Sequence, residues 1–276
     1  MHPLRLSLFA LLLLAVLGLS QEAEAEKEPI WTYTDENSDL KSVAISGEGE
    51  YVVVSVGDTG NKGTGIIYLF RDNQLLWNYT EGDGGDGEPR EVLISDDGNY
   101  VIAPHGQAQC EMSGLGCPPY FSVFESGNST PLWQLNWTGA TEVQPTGLSN
   151  DGKYMLISRT IVDGDVGPNN LVIQLLQTDN GTLYGNYTTD INQYSDDSPV
   201  VAFSAEGEHI VTAGHVFTRY NNSDRGYCEG KVIFFSKYNN TPLWEHIFYE
   251  HEADFGCGDF EDHLSVSDNG NFIAMA

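Results

Sequence analysis

After residue 20 the chain is written in short runs of alternating apolar and polar residues, each stopped by a Gly-, Asn- or Asp-containing turn. No stretch keeps a helical period, so the elements are strands. In the first unit the runs predict strands at Lys41–Ser46, Tyr51–Gly57, Gly65–Arg71 and Leu75–Thr80. The second unit gives Arg90–Ser95, Tyr100–Gly106, Tyr120–Ser126 and Pro131–Thr138. The third gives Gln144–Ser149, Tyr154–Thr160, Asn170–Gln177 and Leu183–Thr189, and the fourth Pro199–Ser204, His209–His215, Lys231–Lys237 and Pro242–Tyr249.

Two anchors recur along these units. The string Ser-x-x-Gly-x-aromatic occurs at Ser46–Tyr51, Ser95–Tyr100 and Ser149–Tyr154, with His209 as the aromatic in Ser204–His209 and a fifth copy at Ser267–Phe272. Its glycines stand 49, 54, 55 and 63 residues apart. Out of phase with it, Leu75-Leu76-Trp77, Pro131-Leu132-Trp133, Thr182-Leu183-Tyr184 and Pro242-Leu243-Trp244 each follow an apolar run and a short turn. Four antiparallel strands per unit of about 50 residues is the make-up of a β-propeller blade. The expected fold is all-β, with about four complete blades, a partial fifth and an incomplete ring. Pro29–Thr34 carries the fourth-strand signature with no third strand before it, and Asn271–Ala276 begins a second strand. The expectation is that the natural polypeptide continues with at least one more strand of the Val-Ile-Phe-Phe type.

The Thr-Pro-Leu-Trp segment (Thr241–Trp244), its relative at Thr130–Trp133 and the Ser42–Ser46 strand with its Gly turn resemble the exported propeller repeats of archaeal surface proteins. They are similar too to the quinoprotein-like and tryptophan-aspartate-repeat superfamilies. That resemblance implies a propeller from Pro29 to Ala276 and raises a quinoprotein-like dehydrogenase as an enzymatic alternative.

The first residues read as an address. Arg5 precedes the apolar run Leu6–Leu19, and Gly18-Leu19-Ser20 offers a small-x-small cleavage site. At 14 residues the run is short of the roughly 20 that span a bilayer. The expected organisation is a signal peptide over 1–20, an acidic linker over 21–28 and the propeller over 29–276, secreted or at the cell surface. Asn-x-Ser/Thr acceptors at Asn78, Asn128, Asn136, Asn180, Asn186, Asn221 and Asn239 suit that location. So do four cysteines, an even number, expected as Cys110–Cys117 and Cys228–Cys257 bonds.

Charge narrows the partners. With 40 Asp+Glu against 12 Lys+Arg the net charge is −28, which repels nucleic acid and anionic membrane surfaces. Long connections fall on one face of the expected disc, at Asp58–Thr64, Gln107–Pro119, Ile161–Asn169 and Val216–Gly230 within blades. Between blades that face adds Glu81–Pro89, Asp190–Ser198 and Glu250–Glu261. Two of these connections alternate oxygen donors as calcium prefers: Asp163, Asp165 and Asn169 in one, Asp83, Asp86 and Glu88 in the other. Ca2+ is the candidate cofactor. No nucleophile elbow, His-Glu-x-x-His or phosphate loop is present, so no catalytic residue is assigned. The expected function is an exported binding module for a protein or glycan at the loop-rich face. The alternative is an extracellular propeller enzyme, quinoprotein-like or hydrolytic.

Overall fold

The computed structural model describes residues 28–36, 38–58, 65–80, 91–105, 120–136, 142–161, 169–193, 200–220, 225–254 and 264–275. The expected leader and residues 21–27 of the linker lie outside them. The chain divides into Met1–Asp35 and Glu36–Ala276. In the first unit residues 28–35 form no strand, and none of the sheets includes them. The strand expected at Pro29–Thr34 is therefore corrected: a suitable side-chain pattern makes no strand without a ladder partner.

Among the described residues the second unit holds eighteen strands in five antiparallel sheets, each running in chain order. Blade 1 is β1 (Ser38–Ile45), β2 (Tyr51–Asp58), β3 (Gly65–Arg71) and β4 (Gln74–Thr80). Blade 2 is β5 (Leu93–Ile94), β6 (Tyr100–His105), β7 (Tyr120–Glu125) and β8 (Trp133–Asn136). Blade 3 is β9 (Glu142–Leu148), β10 (Tyr154–Ile161), β11 (Asn169–Gln177) and β12 (Leu183–Gln193). Blade 4 is β13 (Val200–Phe203), β14 (His209–Arg219), β15 (Arg225–Ser236) and β16 (Asn239–Asp254). Among the described residues the fifth sheet has β17 (Leu264–Val266) and β18 (Ile273–Met275), and the ring is not closed.

The Ser-x-x-Gly-x-aromatic string is the turn between the first and second strands. In every copy the Ser Oγ accepts the aromatic residue's amide at 3.0 Å, and the Gly amide donates to the Ser carbonyl at 2.7–2.9 Å. The glycine takes φ between +66° and +74°, a region that L side chains enter at a cost. In three of the five copies it also lies under a ring from the preceding blade. A Cβ at Gly152 would come within 2.8 Å of the Tyr100 ring, and Gly98 and Gly270 sit more tightly still under Tyr51 and His209. Backbone bonds join neighbouring turns, Gly47 N to Asp96 O at 3.0 Å and Asn150 N to Ala205 O at 2.7 Å.

The apolar core is divided between the blades. Val53, Ile67 and Leu69 of blade 1 pack on Val101, Ala103 and Phe124 of blade 2. Ile102, Phe121 and Val123 meet Met155, Ile157 and Leu176 of blade 3. Leu156, Ile173, Leu175 and Tyr187 meet Ile210, Ile233 and Phe235 of blade 4. Val211, Ala213 and Phe234 are covered by Leu264, Val266 and Ile273 of the fifth sheet. The Trp anchors bind these interfaces. Trp77 donates its indole N–H to Ser126 O at 2.7 Å in the next blade, and Trp133 donates to Thr178 O at 2.8 Å. Tyr187 makes the equivalent bond from blade 3, to Lys237 O at 3.0 Å.

One expected loop is corrected. Val216–Gly230 is for the most part strand, because β14 and β15 run on to Arg219 and back from Arg225. The extension pairs Val216 with Glu229, Phe217 with Cys228 and Arg219 with Gly226. β16 follows to Asp254, past the expected end at Tyr249, so the ladder continues on a third strand. β12 likewise extends to Gln193.

Candidate binding face

The five first turns lie at one end of their blades, close to one another and held by the Ser and Gly bonds. The opposite ends of the second and third strands carry the variable connections, and in blade 4 they project as a three-stranded arm. The arm comprises Val216–Arg219, Arg225–Gly230 and Tyr249–Asp254. Along its middle strand Gly226, Cys228 and Gly230 are buried while Arg225 is exposed and Tyr227 and Glu229 are half-buried, so the arm has a covered and an open side.

Its open side is polar. The Tyr227 hydroxyl donates to Glu250 Oε2 at 2.5 Å. That bond, with lesser effects of burial and of the Glu250 charge, pushes the phenol up to about 12. Glu229 stands directly opposite Glu250 in the ladder, and Tyr227 opposite Glu252. At the root of the arm Lys231 is buried, with its ammonium 3.6 Å from Glu245 Oε2. His215, one residue from Lys231's ladder partner Gly214, is buried as well.

The residues singled out in the sequence separate into two groups. Asp83, Asp86, Glu88, Asp163 and Asp165 lie outside the described residues, and Asn169 is the first residue of β11, opposite Gln193. Among the described residues no group of three His, Cys, Asp or Glu side chains is placed to hold a metal. Cys110, Cys117 and Cys257 also lie outside. Cys228 is fully buried in β15 and is not a free thiol.

The glycosylation candidates gain a second explanation. Asn128, Asn180 and Asn239 occupy equivalent turns between third and fourth strands, and their Oδ1 atoms accept the amides of Thr130, Thr182 and Thr241 at 2.8–3.1 Å. An Asx turn alone accounts for Asn two residues before Thr. Asn186 spends its Oδ1 on Gln174 Nε2 at 3.0 Å, and Asn78 is exposed on β4. Asn136 ends β8, and Asn221 lies outside the described residues.

Sequence reasoning missed the arm. Its signal was the cluster Asn221-Asn222-Ser223-Asp224, four turn-forming residues flanked by alternating runs. The repeat of the Trp anchors likewise gave no sign that Trp77 and Trp133 donate their indole N–H groups to carbonyls of the neighbouring blade.

No known protein family matches the sequence, and no curated protein does. Solved structures match in fold. A complex of KlAtg21 with the coiled-coil of AgAtg16 aligns with a TM-score of 0.51 at 10% identity, over 90% of this chain and 67% of that one. The β-propeller domain of the Trilobed protease from Pyrococcus furiosus aligns at 0.49 and 12% identity, over 84% and 62%. The Dos1 propeller aligns at 0.44 and 11%, over 86% and 65%, so the chain spans less than two thirds of these last two structures. At such identities the likeness concerns architecture: the chain has the fold of a β-propeller.

Proposed function

We propose that this chain is an exported interaction module that binds an extracellular protein or glycan at the end of the disc opposite the Ser-x-x-Gly turns. The observation that carries the reading is the unequal treatment of the two ends. One end repeats a single hydrogen-bonded turn five times, while the other varies in every blade and projects the blade 4 arm. A rigid scaffold with variable connections on one face is the usual division of labour in binding modules. The arm presents Arg225, Tyr227, Glu250 and Glu252 on a paired three-stranded ladder, a surface suited to a polar ligand bearing hydrogen-bond donors or positive charge. Ca2+ at Asp163, Asp165 and Asn169, or at Asp83, Asp86 and Glu88, belongs to the same reading as an organiser of the connections.

The test is a screen of purified protein against immobilised glycans and extracellular proteins, with and without Ca2+. Hits are then measured against a variant in which Asn221–Asp224 is replaced by Asn-Gly and Glu250 and Glu252 by Gln. Loss of binding in that variant, with thermal stability retained, is the expected result. Binding that survives both changes and is insensitive to Ca2+ overturns the reading.

A further inference from the structure

Three of the seven Asn-x-Ser/Thr strings share one conformation. Asn128, Asn180 and Asn239 stand where the third strand turns into the fourth in blades 2, 3 and 4, and all three are exposed. In each, the Asn Oδ1 accepts the amide of the Thr two residues on, at 2.9, 2.8 and 3.1 Å. At Asn239 the Thr241 hydroxyl donates to the same oxygen at 2.9 Å. The Asn oxygen is thus occupied by its own Thr, and the amide nitrogen is the atom left for chemistry. Asn180 Nδ2 makes a long surface bond, to Gln177 Oε1 at 3.3 Å. Asn78 and Asn186 are placed differently. They lie within β4 and β12, opposite Tyr68 and Gln174. Asn186 Oδ1 accepts from Gln174 Nε2 at 3.0 Å, and Tyr187 after it is fully buried. In a strand the chain runs on by about 3.3 Å per residue and does not fold the Thr back onto the Asn.

We infer that Asn128, Asn180 and Asn239 are N-glycosylation sites, selected by their turns, and that Asn78 and Asn186 stay bare. The inference rests on the export proposed above and adds to it where the glycans stand. In transfer, the Asn Nδ2 attacks the anomeric carbon of a polyprenyl-pyrophosphate-linked oligosaccharide. The C–N bond forms as the bond from that carbon to the phosphate oxygen breaks. The lipid pyrophosphate leaves with the electron pair, and one Nδ2 proton passes to a base of the transferase. Donors on Oδ1 polarise the carboxamide and ease loss of that proton. Turn geometry accounts for the Asn–Thr pair without any glycan; what it adds is an exposed nitrogen on a turn that forms locally, before a blade is complete. All three sites fall at the Ser-x-x-Gly end. The amides of Ser126, Thr178 and Lys237, which begin these connections, donate to the Asn99, Lys153 and Glu208 carbonyls of the first turns at 2.9 Å. Bulky polar glycans there cover the repeated end of three neighbouring blades and leave the variable end open to a ligand.

The test expresses the full chain in insect cells in two forms, one with residues 1–20 as they stand and one with the leader of a known secreted protein in their place. Protein recovered from the medium and from the cells is deglycosylated enzymatically in heavy-oxygen water, which marks each occupied Asn as Asp, and its peptides are mapped by mass spectrometry. Expected are marks at Asn128, Asn180 and Asn239 in most molecules and at Asn78 and Asn186 in few. The triple variant Asn128→Asp, Asn180→Asp, Asn239→Asp keeps each Oδ1 and its turn but has no nitrogen to modify. It should lose three glycan steps in gel mobility and still be secreted. Bare turns in the second form, or Asn78 and Asn186 filled as fully as the turns, overturn the inference. Retention of the first form, unmodified, inside the cell overturns export instead, and the second form then still decides whether the turns are selected.

Discussion

At the scale of single residues the turns are the most exacting positions. Gly152 combines φ of +66° with a ring 2.8 Å from where a Cβ would stand. Gly152→Ala is expected to destabilise the protein by at least about 1–2 kcal/mol, the usual cost of a left-handed L-residue, with the Tyr100 overlap added. A shift in the denaturant midpoint at unchanged slope measures it. Tyr187 is fully buried, and burial, with a smaller contribution from Tyr184, pushes its phenol up to about 12. Tyr187→Phe strands the Lys237 carbonyl it serves and should cost about 1 kcal/mol by the same measurement. Tyr227 makes a pH prediction. Its phenol rises from 10.0 to about 12, so the contribution of its bond to Glu250 is complete below pH 10 and disappears as pH rises through 12. Stability of the wild type should therefore fall more steeply than that of Tyr227→Phe between pH 10 and 12. Parallel alkaline unfolding curves would refute it.

Among the elements, the blade 4 arm departs furthest from the repeat. Its strands run past the blade because the ladder can continue wherever a third strand follows the first two. Cys228 occupies the covered side of that ladder, opposite His251. Cys257 lies three residues beyond the arm's last strand residue, Asp254. We expect Cys228–Cys257 and Cys110–Cys117 bonds, each stabilising by about 2–4 kcal/mol. A non-reducing peptide map checks the pairing, and crossed bonds or free thiols would refute it. The Asx turns bear on the same question of export. Because Asn128, Asn180 and Asn239 are accounted for by turn geometry, acceptor counts in this chain speak less strongly for glycosylation than their number suggests.

On the scale of the whole molecule, charge and closure set the behaviour. A net charge of −28 over 276 residues repels itself, and salt screens that repulsion. The melting temperature should rise when monovalent salt goes from low to molar concentration. A flat or falling curve would show that local pairs such as Lys153 with Asp151 outweigh the overall field.

What the sequence determined by itself was whatever repeats locally. The Ser and Gly of each turn satisfy hydrogen bonds and a backbone angle within six residues, so they are legible without the fold. Period-two patterning placed the strands of the complete blades, because one covered face per strand is a local demand. The tertiary structure alone decided three things. It gave Trp77 and Trp133 their carbonyl partners, since those partners lie 49 and 45 positions away and meet only when blades stack. Stacking also placed a ring from one blade over the glycine of the next. Finally, it denied Pro29–Thr34 a strand and granted one to Val216–Arg219, because a strand exists only where a neighbouring backbone completes its ladder.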